Sequence, residues 1–440
     1  MVGLARSGAA IARLLAGRGE RVIGCDSGTP EEAEGLAEAG VEVSLKVDGT
    51  NFLEEAKILV KSPGVPQDAP VVRAARERGL EVTGELELAW RLIPNPFVAV
   101  TGTNGKTTTT ELLGHLHRVA GFPVAVAGNV GTPLASLVGE VDREATVVCE
   151  VSSFQLEDSE LFAPECAVLI NLAPDHLDRH GTLDRYLEAK LRIFANQGND
   201  DVAVYNGGTP ELRDRDLGGC ARLVRFCPAT ELAADPDCEL SLREDVIFAG
   251  DEPLLSTDQL KLLGRHNGEN AMAAAAAALA TGIPREAVAD GLATFEGVPH
   301  RLERLRELGG VVYVNDSKAT NVASAIAGIE AFEGGVHLIL GGSLKGESFE
   351  PLLEPVVARC RACYLIGEAA KQLSAALGPA EQRRVALVES GTLERAVEEA
   401  HARARPGEVV LLSPACASFD AFADFEERGE RFRELVEALR

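Results

Sequence analysis

The chain has 440 residues, 46% of them hydrophobic and 25% charged, and 43 basic against 68 acidic side chains give it a formal net charge of −25. So apolar a chain is not a disordered polymer, and so acidic a chain is a poor match for nucleic acid or an anionic membrane. The longest uncharged apolar run, Ala271–Ile283, falls short of the roughly 20 residues a bilayer requires. Nine scattered cysteines predict no disulfide framework and suit a reducing compartment. Cys360 and Cys363 form a lone CxxC without further zinc ligands nearby, and read as buried strand residues.

In chain order, the N-terminal part alternates β-type runs with helical patterns, as a parallel sheet with crossover helices does. Val22–Asp26 reads as a strand ending in an acid, Ile58–Gly64 as another closed by a turn, and helix-like runs such as Ala9–Ala16 accompany them. Only Met1 and Val2 precede the turn Gly3-Leu4-Ala5-Arg6-Ser7-Gly8, where a strand usually has about five residues, so that sheet edge is expected to be weak. The Pro-rich break at Ile93-Pro94-Asn95-Pro96 closes a first domain, 1–94.

The strongest motif opens the second domain, 95–298. The β-type run Phe97–Val100 leads into Thr101-Gly102-Thr103-Asn104-Gly105-Lys106-Thr107-Thr108, and Leu112, Leu116 and Val119 then follow at helical spacing. Glycines in such a loop let backbone N–H groups approach phosphate oxygens. Lys106 can reach the β- and γ-phosphates, and the Thr107 hydroxyl can bind Mg²⁺. The spacing is Gly-x-x-Gly-Lys-Thr, with Val100 where the longer motif has its first glycine.

Glu150 ends the apolar run Thr146–Cys149, the place where a metal-binding acid belongs in a parallel sheet. Asn171–His180 follows Val168–Ile170, and within it His176 is a possible metal ligand or proton acceptor. After Thr182, Leu183, Tyr186, Leu187, Leu191 and Phe194 form an apolar stripe that includes Lys190. A buried ammonium is costly, so such a lysine is neutralised, paired or modified, unless it snorkels to water. A neutral amine can take up CO₂ as a carbamate, which adds a carboxylate-like metal ligand.

The third domain, 299–440, again alternates strands and helices. Predicted strands are Val311–Val314, His337–Leu340, Cys363–Ile366, Val385–Val388 and Val409–Leu412, and a helix over Phe422–Leu439 closes the chain. Three polar loops follow strands: Asn315–Asn321, Gly341–Lys345 and Ser413–Asp420. Ligands bind at such carboxyl ends in open α/β sheets. With Arg301 at the boundary, Lys106, Lys318 and Lys345 suggest a cationic pocket in an acidic protein.

Taken together, Thr101–Thr109, Glu150–Glu157, Asp175–Arg179, Asn315–Asn321 and Ser413–Gly429 resemble the ATP-dependent Mur ligases of bacterial cell-wall synthesis, over essentially the whole chain. Glu150–Glu157 and Ser413–Gly429 resemble the branch that adds D-glutamate. The resemblance implies an α/β fold of three domains: a Rossmann-like N-terminal domain for the UDP-linked substrate, a central P-loop-type ATPase domain with a mainly parallel sheet, and a Rossmann-like C-terminal domain for the incoming amino acid. It implies ATP, two Mg²⁺ ions and a carbamylated Lys190 as cofactors, and UDP-N-acetylmuramoyl-L-alanine and D-glutamate as substrates. A cytoplasmic monomer is expected, without nucleic-acid or membrane partners.

Carried over residue by residue, the resemblance makes Lys106, His176, Lys190 and Lys318 catalytic. ATP would meet Gly102 through Thr108, together with Asn270, Arg301 and Asp316. Thr107, Glu150, His176 and Lys190 would hold metal. Arg6, Ser7, Asp26, Ser27, Gly64, Asn129 and His176 would hold the UDP substrate, and Thr320, Lys345, Ser418 and Phe425 the D-glutamate. The nearest rivals are a ligase for another amino acid and a folylpolyglutamate synthase. From other classes come a non-turnover nucleotide regulator and a dinucleotide-dependent oxidoreductase. The last reads Gly3–Gly8 and Asp26 as its fingerprint, although Ala5 replaces the second glycine.

Overall fold

The computed structural model describes residues 1–129, 131–212, 215–228, 238–262, 264–344 and 346–440, with the side chains of all but 178, 265 and 266. The chain divides into two compact units, Met1–Leu260 with His266–Phe295, and Lys261–Arg265 with Glu296–Arg440. Among the described residues no helix is long and apolar enough to cross a membrane.

The first unit contains two sheet systems. The N-terminal one has strands β1 (Ile23–Asp26), β2 (Glu42–Leu45), β3 (Ile58–Lys61) and β4 (Glu81–Gly84), paired β1–β2 and β3–β4, both parallel. Val2 joins the pairs, bridging to Cys25 on one side and Lys61 on the other. Its backbone N–H donates to the Val60 carbonyl and its own carbonyl accepts from Ser62, each at 2.9 Å. This short first strand therefore lies between the two pairs, not at the sheet edge expected from sequence. One buried residue suffices because neighbours on both sides satisfy its backbone.

The second system is a nine-stranded sheet. It comprises β5 (Phe97–Thr101), β6 (Val124–Gly128), β7 (Thr146–Glu150), β8 (Cys166–Leu169), β9 (Val202–Asn206), β10 (Arg222–Cys227), β11 (Cys238–Arg243), β12 (Val246–Ala249) and β13 (Glu252–Ser256). Their order is β13-β12-β11-β10-β9-β8-β5-β7-β6. Pairing is parallel from β6 through β11, and β12 and β13 add antiparallel strands. β5 lies between β7 and β8, so the loops after these three strands open side by side. The adjacent ends of β10 and β11 bring Cys227 and Cys238 to a Cα separation of 6.0 Å, where they form a disulfide. Against an expectation of no disulfide framework, this is one pair, and the other seven cysteines form no disulfide.

The second unit has a six-stranded sheet, order β14-β15-β19-β16-β17-β18. Its strands are β14 (Glu303–Leu308), β15 (Val311–Asn315), β16 (Val336–Gly341), β17 (Cys360–Ile366), β18 (Ala386–Gly391) and β19 (Val409–Leu412). All pairings are parallel except β14–β15. Alternate strand residues enter two separate apolar clusters, one on each face, as a doubly covered sheet requires. Cys360 and Cys363 are both buried in β17.

Two buried polar features connect the N-terminal sheet system to the nine-stranded one. Lys61 and Asp158 form an ion pair at 2.6 Å with almost no exposure of either side chain. Burial pushes the Lys61 pKa down and the Asp158 pKa up, against their mutual attraction. Glu85 opens the helix Glu85–Leu92 and accepts from Ala135 N–H and, at 3.4 Å, from the Gln155 amide. Burial pushes its carboxyl up to about 7.

Glu85 in the folded protein thus holds its proton from the ordinary range of 4.5 up to about 7, while the unfolded chain has released it. Folded protein binds more protons in that window, so stability falls as pH rises through it and levels off above. Glu85→Gln should remove this slope. The variant should match wild type near pH 4 and exceed it at pH 8 by an amount on the order of 3 kcal/mol, as read by urea denaturation across that range.

Candidate active site

The site is assembled from the loops after β5, β7 and β8. After β5 the chain turns at Gly105, whose φ of +79° is left-handed, and enters the helix Lys106–Val119. A Cβ at Gly105 would overlap the Asn270 side-chain amide, so glycine is required by close approach as well as by φ. This places Asn270 against the loop, with its Nδ2 donating to Asn267 Oδ1 at 2.9 Å. Asn171, just beyond β8, braces the loop from the other side. Its Oδ1 accepts from Thr103 and Asn104 N–H at 3.1 and 2.9 Å, and its Nδ2 donates to the Asn104 carbonyl. Thr103 Oγ1 is tied to both the carbonyl and the N–H of Ala173. Lys106 curls back, its Nζ donating to the Gly102 and Thr103 carbonyls at 3.1 and 2.9 Å. Thr108 is buried in the first turn of the helix.

Glu150 is the last residue of β7 and is buried. Thr107 Oγ1 donates to its Oε2 at 2.5 Å, and Asn129 Nδ2 to its Oε1 at 3.1 Å. A hydroxyl and a carboxylate on one side of the loop make a hard-oxygen donor set of the kind Mg²⁺ takes.

Thr182 caps the helix Leu183–Leu191. Lys190 is buried on it, as the apolar stripe predicts, though the helix ends before Phe194. Its Nζ donates to the Gly102 carbonyl at 2.7 Å and lies 4.4 Å from the centre of the Tyr186 ring. No carboxylate lies within ion-pair distance of it among the described residues. Burial, with Lys106 nearby, pushes its pKa well below the ordinary lysine value. A buried amine biased toward neutrality is the chemical state that a carbamate requires.

His176 sits at the start of the helix Leu177–His180 with φ +51°. Its side chain is nearly half exposed, 4.9 Å from the Phe154 ring and 6.2 Å from that of Tyr186. Among the described residues no three His, Cys, Asp or Glu side chains converge to hold a metal.

On the N-terminal sheet system Asp26 braces the glycine turn. Its Oδ2 accepts from Leu4 N–H and its Oδ1 from Gly28 N–H, both at 2.7 Å. Ser7 is half-buried and Ser27 exposed. Gly64 is exposed after β3, at the same carboxyl end. Arg6 lines a cavity of about 520 Å³ together with Arg13, Glu32 and Ser136.

The second unit organises a loop cluster of its own. Asp316 accepts from Ser413 Oγ at 2.8 Å and from Leu302 N–H at 3.2 Å, and burial pushes its carboxyl up to about 7. Lys318 Nζ lies 5.0 Å from the Phe425 ring centre, and Thr320 follows it, half-buried. Arg301, also half-buried, bridges back to Val298. Ser418 is buried, and Lys345 lies outside the described residues.

Sequence reasoning missed the residue that binds this cluster together. Arg428, almost fully buried, donates to Ser317 Oγ and O and to the Cys416 and Ala417 carbonyls. Asn315 similarly joins His300 to the Gly429 carbonyl. Nothing in the spacing of Phe425–Gly429 separates a buried arginine from a surface one. Asn171 was more accessible to inference, since it directly follows a strand beside the glycine loop.

A glycine loop between strand and helix, with a hydroxyl–carboxylate pair at its flank, defines an α/β protein that handles nucleoside triphosphates. The sequence matches the Mur ligase middle domain over residues 100–278, the Mur ligase glutamate ligase domain over 300–416 and the MurD-like N-terminal domain of Mur ligases over 1–84. It is 43% identical to the UDP-N-acetylmuramoylalanine–D-glutamate ligase of Pelotomaculum thermopropionicum, over 100% of this chain and 97% of that protein. It is 44% identical to the protein of that same description from Geobacter metallireducens, with the same coverage. Among solved structures, the UDP-N-acetylmuramate–alanine ligase of Thermotoga maritima superposes with a TM-score of 0.61 at 19% identity, covering 99% of this chain and 98% of that one. The MurF ligase of Thermotoga maritima in complex with ADP superposes with a TM-score of 0.57 at 21% identity, covering 96% and 89%. The chain belongs to the Mur ligase family, and its α/β architecture is the three-domain architecture of that family.

Lys106→Ala removes the cation that closes over the loop without emptying a core position. It should weaken binding of Mg·ADP by at least about tenfold, or 1.4 kcal/mol, in titration calorimetry, while the melting temperature of the unliganded chain stays close to wild type.

Proposed function

We propose that this chain joins D-glutamate to the carboxylate of UDP-N-acetylmuramoyl-L-alanine with hydrolysis of ATP to ADP and phosphate, in the synthesis of a peptidoglycan precursor. The observation that carries the reading is local: one glycine loop has the Thr107–Glu150 pair on one flank and the buried Lys190 amine on its Gly102 carbonyl. The activity for which the relatives are named, matched over nearly their full length, supports the choice of amino acid. Domain limits of 1–94, 95–298 and 299–440 suit it, as does a cytoplasmic monomer acting on small molecules.

A carboxylate is a poor acceptor for an amine, because its leaving group would be oxide. In the proposed reaction a substrate carboxylate oxygen attacks the γ-phosphorus of ATP, the bond to the bridging oxygen breaks, and ADP leaves. The amine of D-glutamate then attacks the acyl carbon and loses a proton, and inorganic phosphate departs as the amide forms. Gly102–Thr108 would bind the triphosphate through backbone N–H groups and Lys106. Asn270, on the helix Arg265–Ala280 and packed on Gly105, would approach the nucleoside beside the loop. Mg²⁺, when bound, supplies charge neutralisation of the phosphates, and Thr107, Glu150, His176 and carbamylated Lys190 are the residues that would hold two such ions. In the second unit Arg301, Asp316 and Lys318 would meet ATP, and Thr320, Lys345, Ser418 and Phe425 the amino acid. Arg6, Ser7, Asp26, Ser27, Gly64 and Asn129 would hold the sugar nucleotide. Positioning and charge neutralisation supply most of the acceleration in such a transfer.

Phosphate release by purified chain with ATP and UDP-N-acetylmuramoyl-L-alanine should depend on D-glutamate and not on L-alanine, L-lysine or meso-diaminopimelate. Release driven equally by another of these would refute the assignment. Lys190→Ala should nearly abolish turnover, and millimolar acetate or bicarbonate should restore part of it by filling the space of the carbamate. Full activity without additive would remove the carbamate from the account.

A further inference from the structure

Arg179 belongs to a motif prominent in the sequence, yet no role in the reaction above falls to it. Its guanidinium reaches in three directions. Nη1 donates to the Pro63 carbonyl at 2.8 Å, Nη2 donates to Glu157 Oε2 at 3.1 Å, and Cζ lies over the Phe154 ring, 4.1 Å from its centre. The next residue, His180, continues the grip, with Nδ1 3.2 Å from Glu157 Oε1 and Nε2 3.1 Å from Ser153 Oγ. The helix Ser153–Glu157 is thus held along one side by two consecutive residues of the helix that His176 begins. His176 itself rests on the same Phe154 ring.

Pro63 lies in the turn after β3, closed by Val65 N–H on the Ser62 carbonyl at 3.0 Å. This turn packs against the glycine turn, where a Cβ on Gly3 would crowd the Ser62 side chain. Its base is already fixed to the Ser153–Glu157 helix through Lys61 and Gln67, both on Asp158. Lys61 also donates to the Val65 carbonyl at 2.7 Å. The base is therefore rigid, and what Arg179 adds is a hold on the tip, beside exposed Gly64.

We propose that Arg179 is a positioning residue for the sugar-nucleotide substrate: it ties the tip of the Ser62–Val65 turn to the His176 segment, so that the two faces meeting that substrate are set relative to each other. The inference rests on the ligase reading, which places Gly64 and His176 on one substrate. A planar, forked guanidinium suits the task, because it serves a carbonyl, a carboxylate and an aromatic face at once, and a lysine ammonium does not.

The test compares the full chain with Arg179→Lys and Arg179→Met in steady-state phosphate release and in thermal shift. Both variants should raise the KM for UDP-N-acetylmuramoyl-L-alanine by about 10-fold or more and change the KM for ATP less than about twofold. Without ATP, the thermal shift given to wild type by the sugar nucleotide should be lost, and the shift given by Mg·ADP retained. Parallel changes in both KM values, loss of both shifts, or no change in either would overturn the proposal. A wild-type chain without D-glutamate-dependent turnover would refute the ligase reading instead, and the two thermal shifts would still decide the role of Arg179.

Discussion

The chemistry proposed for the first unit depends on one contact, the Lys190 amine on the Gly102 carbonyl. It joins the helix Leu183–Leu191 to the loop that follows β5. The carbonyl compensates only partly for taking an ammonium out of water, so the cost is met chiefly by moving the group toward neutrality. A leucine there would cost nothing in charge and would pack as well. A lysine so placed therefore carries a chemical purpose more readily than a structural one. The Tyr186 ring, 4.4 Å from the amine, attracts an ammonium only weakly, so burial still sets the direction in which the pKa moves.

That contact is possible because the sheet is parallel where it matters. β7, β5 and β8 are neighbours, so the turns after them converge although Gly102, Glu150 and Asn171 are far apart in sequence. Antiparallel pairing would alternate the loops between opposite edges. The antiparallel pairs of this sheet, β11–β12 and β12–β13, lie away from the glycine loop, where no convergence is needed. The second unit follows the same rule. Its single antiparallel strand, β14, is at an edge, and the loops after β15 and β19 meet through Asp316 and Ser413.

The sequence made the apolar strands and the loops that follow them legible. Thr146–Glu150 and Val409–Leu412 are strands with the limits expected of them, and Lys190 is buried rather than snorkelling to water, an alternative its helical spacing had left open. The alternating charges of Glu303–Leu308 concealed β14, because an edge strand with a polar face lacks the continuous apolar run of a central one. Val2 was misjudged for the opposite reason. Strand length is a local property, whereas the stability of a strand depends on how many neighbours it has, and topology alone supplies that. Lys61, Asp158 and Arg428 were not distinguished from surface charges. Their burial depends on what packs over them from distant segments, and neither periodicity nor spacing encodes it.

These buried charges differ in a way that separates their purposes. Lys61 has a carboxylate partner, and together they fasten two sheet systems at a fixed point. Such a pair adds little net stability over an apolar contact, but it resists sliding, because either group alone would be an uncompensated buried charge. Among the described residues Arg428 has carbonyl and hydroxyl partners but no carboxylate, and burial lowers its pKa to about 10. It keeps its charge at neutral pH and spreads it over the Ser317 and Cys416–Ala417 loops, which makes their surroundings more attractive to anions. Lys190 has one carbonyl and an aromatic face, and of the three it is the group with least to hold its proton. Partner type thus orders the three from fastening, through electrostatic bias, to reactivity, and only the least compensated of them lies on the glycine loop.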